Sequence, residues 1–385
     1  MLAEPFQLKI ASHRQILNTI RIHGEISAAE LARLNSLQPS TLVYILRSLK
    51  AKGLIEVSRI STQQRSAGKP PTLWRLVAEK GYIIGFEIIP NEMRATVIDF
   101  SCKIIHQEHQ VGLDNIGPEK LLDSILAFYK KVLAHLRIAK KDIIGIGVGL
   151  TGLVDRERGF VHFSRKLQLQ NYAIEAGLRK LLKCPVEVVN DANAGALGIK
   201  WQVGDPAPVK PNVVFLTLNE KIGFFGAGLI LNHVLYEGAN GTAGEIFTSL
   251  PVLTELYDKA LAKNGQDFPL VRRKQEKEKI DLDDVITCAR DGCKISKSII
   301  GRYKKFIIEE VVRLVQLLNP DVFVLGGDIT DASDLIYKEI VKKIDSRLQE
   351  IFPTGVPTLD IQISRFGIYS VSVGATALIL RKIFL

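Results

Sequence analysis

The stretch SAAELARLNSLQPSTLVYILRSLKAKGLIEV, residues 27–57, decides the reading of the N-terminal part of this chain. It opens with Ser27-Ala28-Ala29-Glu30, the spacing of a capping box, in which the serine hydroxyl accepts from the Glu30 amide and Glu30 reaches back. A short helix follows, with Leu31 and Leu34 expected inward. Gln38-Pro39-Ser40 starts a further helix, with Pro39 suited to the first helical position. In that helix Leu42, Ile45, Leu46 and Leu49 make an apolar stripe, and Lys52-Gly53 ends it. Upstream, residues 12–22 place Ile16, Leu17, Ile20 and Ile22 on or near one helical face before the break at His23-Gly24. Downstream, Leu54–Val57 and Thr72–Leu76 predict paired strands flanking the polar loop SRISTQQRSAGKPP, residues 58–71. Three short helices with a tight turn between the last two, then a two-stranded wing, predict a winged helix-turn-helix over residues 1–80.

That module carries charge suited to a polyanion. Residues 1–80 hold five Lys and seven Arg against five Glu and no Asp, a net +7 out of +10 for the whole chain. The third helix is expected in the major groove of DNA, with Ser40, Val43, Tyr44 and Arg47 facing base edges. Arg59, Arg65 and Lys69 of the wing loop, beside Gly68 and two prolines, suit the narrow minor groove. The competing reading of the same shape is a helical protein-interaction domain with a solvated basic surface.

The other residues read differently. With 385 residues and 46% apolar content, the chain has room for more than one core. No run approaches the ~18 apolar residues of a membrane span, and Glu4, Pro5 and Gln7 interrupt any signal-peptide pattern, so a cytoplasmic protein is expected. Four scattered cysteines, Cys102, Cys184, Cys288 and Cys293, form no disulfide framework and no metal-ligand spacing, so no metal is expected. From Gly81 strands alternate with helices. Residues 82–88, 94–99 and 103–111 predict strands, 118–136 a helix, 142–150 an apolar strand rich in glycine, 171–182 a helix, 186–189 a strand, and 191–201 an Ala/Gly-rich helix. A second set follows: strands at 213–218, 225–231, 321–325 and 360–363, and helices at 255–263, 282–291, 294–318, 334–349 and 370–382. The fold class expected is α/β, a first lobe at 81–190 and a second at 191–385 whose last helix returns toward the first, with a ligand cleft between lobes.

Four segments, GLTGLVDRERG (149–159), VVNDANAGALG (188–198), EGANGTAGEI (237–246) and LNPDVFVLGGDI (318–329), resemble the ROK family, which groups bacterial sugar kinases with sugar-responsive repressors. The N-terminal module is similar to that of the repressor branch. The resemblance implies a two-lobed, actin-like (ribonuclease-H-like) sugar-kinase fold. It further implies that Asp191 matches the base that takes the proton from the sugar hydroxyl, and that Asn190 and Glu245 match sugar ligands. From the residues alone, Asp191 at a strand–helix junction also suits a helix cap.

The departures from the family pattern shape the functional expectation. Where family kinases carry an Asp-x-Gly-Gly-Thr loop, this chain has Glu87-Ile88-Ile89-Pro90-Asn91, with both glycines lost and Pro90 without an N–H. The second phosphate loop reads Asn219-Glu220-Lys221-Ile222-Gly223, with a carboxylate where phosphate would approach. A sugar-contacting histidine of the family is Thr248 here, and the family's cysteine-rich zinc motif is absent, so no structural zinc is expected. The expectation is a sugar-responsive regulator that binds operator DNA as a homodimer or homotetramer, a repressor rather than an activator by resemblance, with the kinase-like part sensing a sugar or sugar derivative. The alternative is an active sugar kinase using ATP and Mg with Asp191 as base; a third reading is that the cleft serves only dimerisation.

Overall fold

A computed structural model describes residues 2–60, 72–113, 117–201, 209–219, 224–249, 282–354 and 359–385. The predicted helix at 255–263 and wing residues Arg65 and Lys69 lie outside them. Backbone packing divides the described chain into two units. One comprises Met1–Asn190, Leu197–Val209 and Val371–Leu385; the other comprises Asp191–Ala196 and Lys210–Ser370.

The first unit begins with helices α1 (Ala11–His23), α2 (Ala28–Leu34) and α3 (Pro39–Ala51). The Ser27–Glu30 capping box forms as the spacing predicts, and Pro39 opens α3. Ile16, Leu17 and Ile20 of α1 and Leu42, Ile45, Leu46 and Leu49 of α3 are all buried, giving this small module its own apolar centre. Leu34, expected inward, is 46% exposed. It is the last residue of a seven-residue helix, so only Leu31 of that helix reaches the core. The wing strands β2 (Ile55–Ile60) and β3 (Thr72–Leu76) pair antiparallel, and β1 (Ile26–Ser27), which the sequence did not suggest, adds to β3.

The same unit contains a five-stranded sheet. Its strands are β4 (Tyr82–Ile89), β5 (Asn91–Asp99), β6 (Ile104–Leu113), β7 (Ile143–Leu150) and, beyond the small sheet described below, β11 (Val186–Asn190). The order is β11-β7-β4-β5-β6, with β4, β7 and β11 parallel and β5 and β6 antiparallel to their neighbours. Side chains alternate across a sheet. Ile84, Phe86, Ile146 and Val148 face the helices α4 (Pro118–Leu136) and α5 (Ile174–Leu182). The opposite face carries glycines because the C-terminal helix, Ser370–Phe384, lies directly on it. A Cβ on Gly85 would stand 1.9 Å from the Ser372 carbonyl oxygen, and one on Gly147 would stand 1.8 Å from that of Ala375. Thr96 and Ser372 hydroxyls bond across the same seam at 2.8 Å. Residues 367–384 are long and apolar enough to cross a membrane, but this packing buries 72% of them.

Residues 153–172, partly read as a helix, instead form a three-stranded sheet of β8 (Leu153–Asp155), β9 (Phe160–Ser164) and β10 (Leu169–Tyr172). The predicted helix therefore starts at Ile174, not Asn171. Gln168 and Asn171 both adopt positive φ, which a helix does not accommodate.

The second unit repeats the sheet pattern. β12 (Val213–Asn219) pairs antiparallel with β13 (Phe224–Leu231) and parallel with β16 (Val322–Gly327), which pairs parallel with β17 (Asp360–Ile363). β14 (Val234–Leu235) and β15 (Glu245–Ser249) both add to β13. One face is covered by α7 (Leu282–Arg290), α8 (Lys294–Leu318) and α9 (Ser333–Ile351), whose Ile336, Ile340, Ile344 and Leu348 recur at four-residue intervals and are all buried. On the other face lies the start of α6 (Asp191–Lys200), where a Cβ on Gly228 would stand 2.2 Å from the Ala192 carbonyl oxygen. The C-terminal helix is α10 (Ser370–Phe384).

Candidate functional site

The segment expected to bind sugar sits where β11 passes into α6. Strand geometry ends at Asn190, whose side-chain amide donates to the Gly152 carbonyl at 3.1 Å. Asp191 is the first residue of α6, 9% exposed, and its carboxylate accepts from the Ala192 amide at 2.8 Å. It thus takes up one of the amides that a helix start leaves without an intrahelical partner. On β15, Glu245 lies opposite Gly226 of β13, and a Cβ on Gly226 would stand 3.8 Å from Asp191 Oδ1. Two carboxylates are therefore neighbours in a partly buried place. Burial, and then the charge of Asp191, push the Glu245 carboxyl up to about 7. Raised acids of this kind gather at sites that bind or process ligands. Backbone at Thr248 lies in the same strand, at a point where its register with β13 shifts.

The first expected phosphate loop is a closed hairpin. Ile89 of β4 pairs with Glu92 of β5, so only Pro90 and Asn91 form the turn, with Asn91 at φ 66°. Neither residue is a glycine, Pro90 has no N–H, and Ile89 is 1% exposed in the core. Behind the turn lies a buried charge network that the sequence did not suggest. Arg94 bonds Glu92 at 2.6 Å and Glu87 at 3.4 Å, and His109 Nε2 lies 3.1 Å from Glu92. All three ionic side chains of the Arg94 trio are 5% exposed or less. The carboxylate of Glu87 is thus held by an internal cation rather than turned outward to a metal or a phosphate. At the second loop, Asn219 ends β12 opposite Phe224; Glu220 and Gly223 lie outside the described residues.

In the winged helix, Ser40, Val43, Tyr44 and Arg47 are all exposed on α3, opposite its buried stripe. Tyr44 is 65% exposed and Val43 44%, and the Tyr44 ring meets His13 of α1 edge-on at 6.1 Å between centres. Arg59 stands in β2, opposite Leu73.

Arg21 of α1, which composition counts among the basic residues of the module, turns inward instead. Its Nη1 donates to the Trp201 carbonyl at 2.7 Å, just past the end of α6. Its guanidinium lies 5.1 Å from the Trp201 ring centre and 5.6 Å from that of Phe384 on α10, within cation–π range. Its charge acts on Cys102, a thiol that burial pushes up to about 11. No sequence signal marks this residue, because an arginine on an amphipathic helix reads as solvent-facing.

The chain matches the ROK family model over residues 83–247 and 257–382, and the MarR family model over residues 7–66. The xylose repressor of Caldicellulosiruptor bescii is 25% identical over 398 aligned residues, covering 97% of this chain and 96% of that protein. Among solved structures, a ROK family transcriptional regulator, a homologue of the Escherichia coli MLC protein, superposes with a TM-score of 0.74 at 20% identity, covering 97% of this chain and 96% of the other. A ROK family glucokinase from Streptomyces griseus, solved with glucose and AMPPNP, reaches a TM-score of 0.64 at 20% identity, covering 77% of this chain and 99% of the other. The kinase therefore shares the fold of the α/β part, and the regulator shares that of nearly the whole chain.

Proposed function

The chain belongs to the ROK family, and from that premise we propose that it is a sugar-responsive transcriptional repressor whose winged helix binds operator DNA and whose kinase-like part senses the sugar. One observation carries the reading: α3 buries Leu42, Ile45, Leu46 and Leu49 and presents Ser40, Val43, Tyr44 and Arg47 to solvent, the face a recognition helix offers to base edges. Arg59, Arg65 and Lys69 of the wing add phosphate and minor-groove contacts. The chain acts as a dimer on a two-fold-related operator, or as a tetramer built from such dimers.

The effector is a sugar, and Asn190, Asp191, Glu245 and Thr248 are the residues assigned to hold it. Xylose is the first to test, because a relative that matches this chain end to end is named for it. A sugar alters DNA affinity only by preferring one of two conformations of the protein.

Gel-shift titration of the chain on DNA from upstream of its own gene tests the reading. The expected result is sequence-preferring binding that weakens steeply with salt, as phosphate contacts require. Binding indifferent to sequence, with and without sugars, would remove it.

The neighbouring carboxylates of Asp191 and Glu245 favour a second reading, an active ATP-dependent sugar kinase. Against it stand Pro90 and the ion-paired Glu87, a poor fit to nucleotide phosphates and Mg. Release of ADP on incubation with ATP, Mg and a sugar panel, abolished by Asp191→Asn, would support this second reading.

A further inference from the structure

Three ligating side chains converge on the outer edge of the first unit's sheet. His106 and Glu108 are two apart on β6 and so share a face. Their strand partners Val97 and Ala95 belong to the core on which α4 packs, so this is the α4 side of the sheet. His135 comes from the last turn of α4. Its Nδ1 lies 2.9 Å from Glu108 Oε2, and His106 Nε2 lies 3.2 Å from the same oxygen. One donor atom from each of the three residues lies within 4.8 Å of the others.

We propose that His106, Glu108 and His135 form a binding site for a late first-row divalent cation, zinc in the first instance, completed by water. Tetrahedral zinc with ligands at about 2.0–2.1 Å separates its donor atoms by about 3.3 Å. The two histidine–carboxylate separations are already close to that, and His135, with a side chain 52% exposed, has room to turn. The donor set, two imidazoles and one carboxylate, is that of an open zinc site with a position left for solvent. Glu108 is prepared as a ligand: its side chain is 9% exposed, and Lys131 holds Oε1 at 2.9 Å while Oε2 faces both histidines. A second hydrogen bond on a ligating carboxylate fixes its orientation. The nearby ammonium opposes a cation, which sets the site apart from high-affinity structural zinc centres. A bound ion would tie the edge strand β6 to the end of α4, and it uses none of the four cysteines.

The test is calorimetric titration of the full chain, stripped with chelator, with zinc chloride at pH 7.5, alongside thermal melts. One zinc per chain is expected, with a raised melting midpoint, since an ion that binds only the folded state stabilises it. Magnesium should give neither effect, because it favours all-oxygen ligand sets. His135→Ala, at an exposed helix end where the fold is not at risk, should weaken binding at least tenfold, and His106→Ala should do the same. His233→Ala, at an exposed turn, should change nothing. Absence of stoichiometric binding to the wild-type chain would overturn the proposal, and so would unchanged affinity in the His106→Ala, His135→Ala double variant.

Discussion

Replacing Arg21 by alanine removes a contact that joins the DNA-binding helices to the ends of α6 and α10. In the folded chain its guanidinium donates to the Trp201 carbonyl at 2.7 Å and lies 5.1 and 5.6 Å from the Trp201 and Phe384 ring centres. A hydrogen bond from a charged donor contributes about 1.5–3 kcal/mol. Each partly covered cation–π contact adds about 0.5–1 kcal/mol. Truncation is therefore expected to cost about 3 kcal/mol locally, equivalent to about a hundredfold rise in the population of the opened form. Hydrogen exchange followed by mass spectrometry reads this directly: amides of α1 should lose about two orders of magnitude of protection. Amides of α8, in the other unit, should keep theirs. Arg21→Lys keeps the charge but not the planar donor group, so it should fall between the two. Protection of α1 within about threefold of wild type would refute this account of Arg21. Loss of protection everywhere would refute its locality.

Three other expectations follow from the geometry. Glu245 has its folded pKa raised to about 7, above the ordinary carboxyl value, so the folded state binds more protons than the unfolded one between about pH 4.5 and 7 and loses stability as pH rises through that window. The loss is about 2–3 kcal/mol; Glu245→Gln should flatten it in melts recorded from pH 5 to 8, and an unchanged slope would contradict the assignment. Gly147→Ala places a Cβ 1.8 Å from the Ala375 carbonyl oxygen, forcing α10 off the sheet at a cost of about 1–3 kcal/mol or more, visible as a lowered melting midpoint. Arg47→Ala, at an exposed position of α3, should leave the midpoint within experimental error yet weaken operator binding by about 1–3 kcal/mol in a gel shift; equal losses on operator and random DNA would assign Arg47 to phosphate rather than base contact.

Much of the architecture was legible because local chemistry and packing agree in it. Ser27 and Glu30 form their reciprocal cap, Pro39 opens α3, and the four apolar positions of α3 are the four it buries. The glycines at 145, 147 and 149 read as an unusual strand; the structure supplies the reason for Gly145 and Gly147, the direct approach of α10. What stayed illegible depends on partners distant in sequence. The strands at 153–172 are three to five residues long, too short to impose a period, so the pattern predicts a helix from Asn171 that in fact begins at Ile174. Arg94 and Glu92 stand two apart on β5, but Glu87 and His109 reach them only from the paired strands β4 and β6, so the burial of this network has no local signature. Arg21 likewise looks like any charge on an amphipathic helix until Trp201, 180 residues away, is folded against it. At the proposed sugar site the sequence marks the carboxylates of Asp191 and Glu245, but their proximity, and with it the raised Glu245 carboxyl, depends on the β13–β15 pairing.

Fluorescence anisotropy of labelled operator DNA, titrated with the full chain in the absence and presence of saturating xylose and then of other aldoses, tests the central claim most directly. At least one sugar should weaken operator binding about 5- to 150-fold, the usual span of coupling between two sites, and Asp191→Asn should abolish that response while leaving sugar-free DNA binding intact. Operator affinity indifferent to every sugar tested, or a response that survives Asp191→Asn unchanged, would contradict it.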